Sequence, residues 1–142
     1  MASIIKAAPA RIKVAYHEHR FRTLVVDEDP SDARYYYGML RALGHEVVVS
    51  ESYQEALVRL AGENFDMIVV AQGSSAFEGR QVVARALEID PKRPVIVVAG
   101  TLDIDCYMEA MEVGAADYLE RRAAPRDFML SVDVHLRTKA AA

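Results

Sequence analysis

Three short runs of aliphatic and β-branched residues punctuate the chain: 23–26 (TLVV), 67–70 (MIVV) and 95–98 (VIVV). None alternates polar with apolar positions, so each predicts a strand buried on both faces, as in a parallel sheet covered by helices. Two weaker runs, 46–50 (EVVVS) and 117–119 (DYL), are further strand candidates. Between the runs the apolar spacing lengthens to a helical period. Residues 31–43 place Ala33, Tyr36, Tyr37, Leu40 and Leu43 on one stripe, and Gly44 ends it. Ser52, Tyr53, Gln54 and Glu55 read as a capping box ahead of Ala56, Leu57, Leu60 and Ala61. Residues 81–89 carry Val82, Val83, Ala86 and Leu87. Residues 103–113 carry Ile104, Tyr107, Met108 and Met111 as a buried stripe, with Gly114 as the stop. Pro125 opens a last helix whose stripe is Phe128, Met129, Val132 and Leu136. Strand and helix thus alternate five times, which predicts an α/β domain with a parallel sheet and right-handed crossovers.

Composition narrows the function classes. With 142 residues, 52% hydrophobic and 27% charged, the chain is sized for one globular domain. Seventeen Lys and Arg against 21 Asp and Glu give a net charge of −4, the wrong sign for gripping phosphate backbones, so no nucleic-acid partner is expected. The lone Cys106 excludes a disulfide framework and a cysteine zinc cluster. Runs 67–71 and 95–99 fall far short of the ~20 residues that cross a bilayer, and the N-terminus lacks the apolar stretch of a secretion signal. A cytoplasmic protein without a membrane partner is the expectation. Residues 1–20 find no strand partner and are expected to be a mobile arm, unless 11–16 (RIKVAY) adds an edge strand. The domain is expected over 21–139, with 140–142 as a tail and no output domain following.

In an open parallel sheet, ligands bind beyond the carboxyl ends of the strands. The residues to weigh there are Asp27, Glu28 and Asp29, then Ala71 to Ser74, then Ala99 to Thr101, then Glu120, Arg121 and Arg122. Three adjacent carboxylates repel one another, and a cation or an arginine relieves the strain. Such hard oxygens suit Mg²⁺, which takes one or two carboxylates and keeps several waters. The plainer alternative is that Asp29 caps the next helix while Asp27 and Glu28 are solvated.

The segments LVVDEDP (24–30), FDMIVVA (65–71), FEG (77–79), RPVIVVAG (93–100) and GAADYLERRAAPRDF (114–128) together resemble the receiver domain of two-component response regulators, over residues 21 to about 138. The resemblance implies a flavodoxin-like fold: a five-stranded parallel sheet of order 2-1-3-4-5 with helices on both faces. It also implies phosphoryl transfer from a histidine kinase to an aspartate ending the third strand. In the family, Mg²⁺ on an acidic pair, a lysine, a hydroxyl and a mobile aromatic support that step. By this resemblance Asp27 and Glu28 match the acidic pair, with glutamate second, and Tyr118 matches the switch aromatic. The phosphoacceptor position falls on Ala71, the hydroxyl on Ala99, the lysine on Arg121 and the proline after it on Arg122. Counting back eight residues from Gly79 and forward from Phe65 and Asp66 both reach Ala71, whereas Asp66 lies at the other end of that strand.

A methyl group carries no phosphoryl group and ligates no metal. The resemblance therefore implies an atypical receiver, not an enzyme, acting by phosphorylation-independent protein contact. No cofactor is expected to be essential, and Mg²⁺ on Asp27 and Glu28 is the one considered. Arg121, with its bidentate fork, is expected to pair with Asp27 or Glu28 in the metal's place, the plainer alternative being that it points into solvent. A protein partner or second copy is expected on the face of the fourth helix, fifth strand and fifth helix. Asp105, Glu109, Glu112, Asp117, Arg122, Arg126 and Asp133 are expected to be exposed there. Two other readings stay open: a relay receiver using Asp27 or Glu28 as acceptor, and a small-ligand binder using the space near Ala71, Gly73, Ala99 and Gly100. Of Tyr35, Tyr36 and Tyr37, two are expected to face the core. His45 and His135 are expected at the surface, Cys106 as a packed residue, and Ser74 and Ser75 as ordinary loop serines, with modification by a serine kinase the lesser alternative. His17, Glu18 and His19 form a weak metal-binding candidate.

Overall fold

The computed structural model describes residues 20–121 and 123–141. The first half of the fold is β1 (Arg22–Val26), α1 (Pro30–Ala42), β2 (Glu46–Ser50), α2 (Tyr53–Gly62) and β3 (Met67–Ala71). The second half is α3 (Arg80–Ile89), β4 (Val95–Ala99), α4 (Ile104–Val113), β5 (Asp117–Glu120) and α5 (Pro125–Ala141), so the last helix runs into the residues assigned above to a tail. The strands form one parallel sheet in the order β2-β1-β3-β4-β5, as the resemblance implied.

The unbroken apolar strands serve two cores at once, because successive side chains point to opposite faces. Leu24, Val26, Ile68, Val70 and Val97 pack under α2, α3 and α4. Val25, Met67, Val69, Ile96 and Val98 pack under α1 and α5, where Tyr36, Leu40, Phe128 and Leu136 meet them. Each such buried aliphatic side chain contributes roughly 1.5–3 kcal/mol. Asp29 caps α1 and Ser52 caps α2, the latter accepting from the Glu55 N–H. Glu55 itself turns to Arg59 at 3.2 Å. Gly114 ends α4 in the left-handed region at φ 117°, which a side chain would strain.

Several expectations about side-chain direction are corrected. On α4 the stripe Ile104, Tyr107, Met108 and Met111 faces solvent, at 60, 41, 62 and 38% exposure, while Cys106 and Ala110 face the sheet. The small residues let the helix approach the strands closely, so the large ones are turned outward. Of the three consecutive tyrosines only Tyr36 is buried, against Phe128, while Tyr35 and Tyr37 lie outside. Helical neighbours stand ~100° apart, and one direction alone meets the sheet. His45 is buried against Phe21, with ring centroids 5.6 Å apart, and burial pushes its pKa down to about 4. His135 is half-buried, its Nδ1 2.8 Å from the carbonyl oxygen of Ser131. Asp133 is buried rather than exposed: it is paired with Arg137 and lies near enough to His45 for its charge to act on that ring. The arm, the RIKVAY segment, the His17–His19 trio and Arg122 lie outside the described residues.

Candidate functional site

The carboxyl ends of β1, β3, β4 and β5 enclose a cleft of about 210 Å³. Asp27, Glu28, Asp29 and Asp32 form one wall, Tyr36 and Tyr53 stand beside it, and Ala71 and Ala99 with Gly73 and Gly100 leave the floor open. Arg121 crosses the far rim.

Each acid has its own environment. Asp27 is 7% exposed and accepts a hydrogen bond from the Asp29 N–H at 3.0 Å. Burial raises its pKa to about 6, with the Asp32 and Asp29 charges adding to the shift and the Arg121 charge opposing it. Asp29 is spent on the cap, accepting from the N–H groups of Ser31 and Asp32 at 2.8 and 3.2 Å. Glu28 is exposed at the cleft mouth.

Arg121 does not pair with Asp27 or Glu28, contrary to the expectation. Its Nη1 donates to Asp32 Oδ2 at 2.7 Å. Asp32 projects from the first turn of α1 over the cleft, at the height an arginine leaving β5 can reach, whereas Asp27 lies deeper. The guanidinium passes over Gly100, where a Cβ would sit 3.2 Å from both terminal nitrogens. A pair this open to water contributes at most ~1 kcal/mol.

Ala71 ends β3 beside Val98 of β4, and Ala99 ends β4 almost fully buried. The Ala71 carbonyl accepts from the Tyr53 hydroxyl at 2.9 Å. The returning loop runs so close that a Cβ on Gly79 would collide with that same carbonyl oxygen. Tyr53 was missed as a site residue, and its place at the start of a helix gives no signal for it.

Tyr118 lies apart from the cleft wall, buried at 7% exposure. Its hydroxyl donates to Gln72 Oε1 and accepts from the Asp103 N–H at 3.2 Å. Gln72 is 4% exposed, and its Nε2 donates to the Ser74 carbonyl at 3.2 Å. Gln72 entered the sequence reading only as a residue following a strand.

The remaining candidates resolve simply. Ser74 Oγ is engaged by the Glu78 carboxylate at 2.8 Å, Glu78 also taking the Ser74 N–H at 2.7 Å. Burial raises the Cys106 thiol pKa to about 11, which keeps it protonated and unreactive near neutral pH. Asp27 and Glu28 fit a hydrated Mg²⁺: one carboxylate is buried beside the Asp29 and Asp32 charges, the other is at the mouth, and this ion needs no more protein ligands. Bound there, it would supply countercharge to the acidic wall. Among the described residues no helix is long and apolar enough to cross a membrane.

Known proteins agree with this architecture. The chain is 28% identical over 105 residues to the transcriptional regulatory protein ZraR of Escherichia coli K12, covering 74% of this chain and 23% of that protein. It is 31% identical over 98 residues to the response regulator protein FleR of Pseudomonas aeruginosa, covering 69% of this chain and 21% of that protein. The chain thus spans under a quarter of the length of these relatives. Among solved structures, a CheY-like receiver domain protein from Methanospirillum hungatei superposes with a TM-score of 0.79 at 22% identity, covering 86% of this chain and 98% of that one. The signal receiver domain of an HD domain-containing protein from Pseudomonas fluorescens gives 0.79 at 20% identity, covering 87% of this chain and all (100%) of that one. The family model described as the response regulator receiver domain matches residues 23–133, and on that match this chain belongs to the receiver domains of two-component response regulators.

Proposed function

We propose that this receiver domain signals through protein contact without being phosphorylated. One observation carries the reading: Ala71 ends β3 and lines the cleft together with Asp27, at the position that the resemblance assigns to the acceptor aspartate. A methyl group has no lone pair to attack phosphorus. Two neighbours support the same reading. Ala99 offers no hydroxyl to hold a phosphoryl group, and the guanidinium of Arg121 is committed to Asp32 on the rim.

Contact is supported by the α4 surface. Ile104, Tyr107, Met108 and Met111 form a helical stripe of exposed apolar side chains, more than a solvated face requires. With Asp105 and Glu112 beside it and Arg126 on α5, this face offers a protein partner or a second copy both apolar area and charge.

The test is treatment of the full chain with acetyl phosphate and Mg²⁺, followed by intact-mass measurement. No added phosphoryl group is the expected result, and stoichiometric addition would overturn the reading, on Asp27 or Glu28 as on any other residue. Ala71→Asp is the companion variant, expected to gain Mg²⁺-dependent labelling if the surrounding residues still serve. A second reading, a small-ligand receiver, is favoured by the open floor and the two tyrosines of the cleft. A ligand concentration-dependent rise in melting temperature, abolished by Ala71→Leu, would support it.

A further inference from the structure

Three chain segments meet at the Tyr118 hydroxyl: Gln72 of the β3–α3 loop, Tyr118 of β5, and Asp103 at the start of α4. We infer that Gln72 is an internal latch, fixing Tyr118 inward and thereby holding α4 and its apolar stripe in one position without an external signal. The inference deepens the contact reading above and rests on it for its functional meaning.

Gln72 is held on all sides. Its own N–H donates to the Val98 carbonyl at 2.8 Å, and its carbonyl accepts from the Gly79 N–H at 3.1 Å. Because Nε2 is committed to the Ser74 carbonyl, the side-chain oxygen is the atom turned toward Tyr118. A phenol donates one hydrogen bond, and the Tyr118 proton is used on Gln72 while its oxygen receives the Asp103 N–H.

The latch reaches α4 by three routes. Asp103 is the N-cap of α4, its carboxylate accepting from the Cys106 N–H at 3.0 Å, so the group that Tyr118 holds is the one that starts the helix. Tyr107, part of the exposed stripe, stands edge-on to the Tyr118 ring at 5.5 Å between centroids. Cys106 Sγ lies 3.5 Å from the Ser75 carbonyl, tying the same helix to the loop that carries Gln72. An outward Tyr118 would leave the Gln72 oxygen and the Asp103 N–H without a partner in a site shielded from water, the costly outcome for polar groups. The side chain of Ala99, at the neighbouring strand end, has no polar atom with which to replace either bond, and the Ala99 carbonyl already accepts from the Arg121 N–H.

Backbone hydrogen exchange on the full chain tests the latch, comparing wild type, Gln72→Met, Tyr118→Phe and the double variant. Gln72→Met keeps the length of the side chain and removes the acceptor. The expected result is faster exchange over residues 101–108, by about tenfold for one lost buried hydrogen bond, with β1 and α3 unchanged. The double variant should add less than the sum of the two, since both substitutions break the same bond. Wild-type exchange over 101–108 in Gln72→Met would overturn the latch. Should that variant loosen the whole fold, Tyr118→Phe decides by the same segment, because the ring stays in place. Phosphoryl labelling of wild type would overturn the contact reading and leave these exchange rates as they are. An unchanged exchange pattern would overturn the latch alone.

Discussion

The two edges of the sheet each bury a titratable group, and they treat it in opposite ways. At the carboxyl edge, Asp27 opens onto a cleft and has its pKa raised to about 6. At the amino edge, level with the start of β2, His45 is sealed against Phe21 and has its pKa lowered to about 4. Burial is the leading cause at both. The difference lies in access: a ligand or cation can still answer the charge of Asp27, whereas the Asp66 and Asp133 charges that act on His45 are fixed in the fold. A suppressed charge facing a cleft marks a candidate site. The same suppression behind an aromatic seal marks architecture.

The largest effect is expected at the sealed edge. His45→Ala is expected to cost about 2–4 kcal/mol in denaturant unfolding at pH 7, as for other large buried rings. A cost under ~1 kcal/mol would mean the ring is not part of the core.

Acidity separates the two groups by sign. Unfolded, Asp27 titrates near 3.8 and His45 near 6.5. The folded pKa of Asp27 is raised, so its contribution is fully present below about 4 and is lost as pH rises through about 6. The folded pKa of His45 is lowered, so its contribution is present above 6.5 and is lost as pH falls toward 4. Between these limits the two oppose each other and flatten the stability profile. Asp27→Asn removes one side: it is expected to stabilise the chain by about 1–2 kcal/mol at pH 7 and little at pH 4, and to steepen the acid loss. Equal effects at both pH values would contradict the assignment.

The smallest effect is expected at the rim. Arg121→Ala should change stability by under ~1 kcal/mol, yet shift the Asp27 titration upward, because the Arg121 charge now lowers it. A carboxyl carbon titration followed by NMR reads that shift directly.

The fold was legible because β3 and β4 are unbroken apolar runs between helices, and the order 2-1-3-4-5 followed from the resemblance. What failed was direction. Periodicity finds a stripe on α4 but does not say which way it faces, and the usable clue was the small pair Cys106 and Ala110 on the opposite side. The tyrosines of α1 failed for the same reason. The Arg121–Asp32 pair joins residues 89 positions apart, so the local excess of acid after β1 pointed to the wrong carboxylates. Gln72 was invisible because its role depends on a phenol contributed by β5. His45 carried no sign of burial beyond its place just before a strand.

The exposed stripe on α4 has a consequence for self-association. Glu109 is neutralised by Arg80 at 2.8 Å, but Asp105 and Glu112 stay exposed beside Tyr107, Met108 and Met111. Two copies meeting symmetrically through this helix would set these carboxylates near their own counterparts, and like-charge juxtaposition opposes that encounter. A binding protein whose greasy centre is ringed by lysine or arginine meets attraction instead. On the contact face proposed above, these carboxylates would make a second copy the less favoured occupant and a basic protein partner the more favoured one.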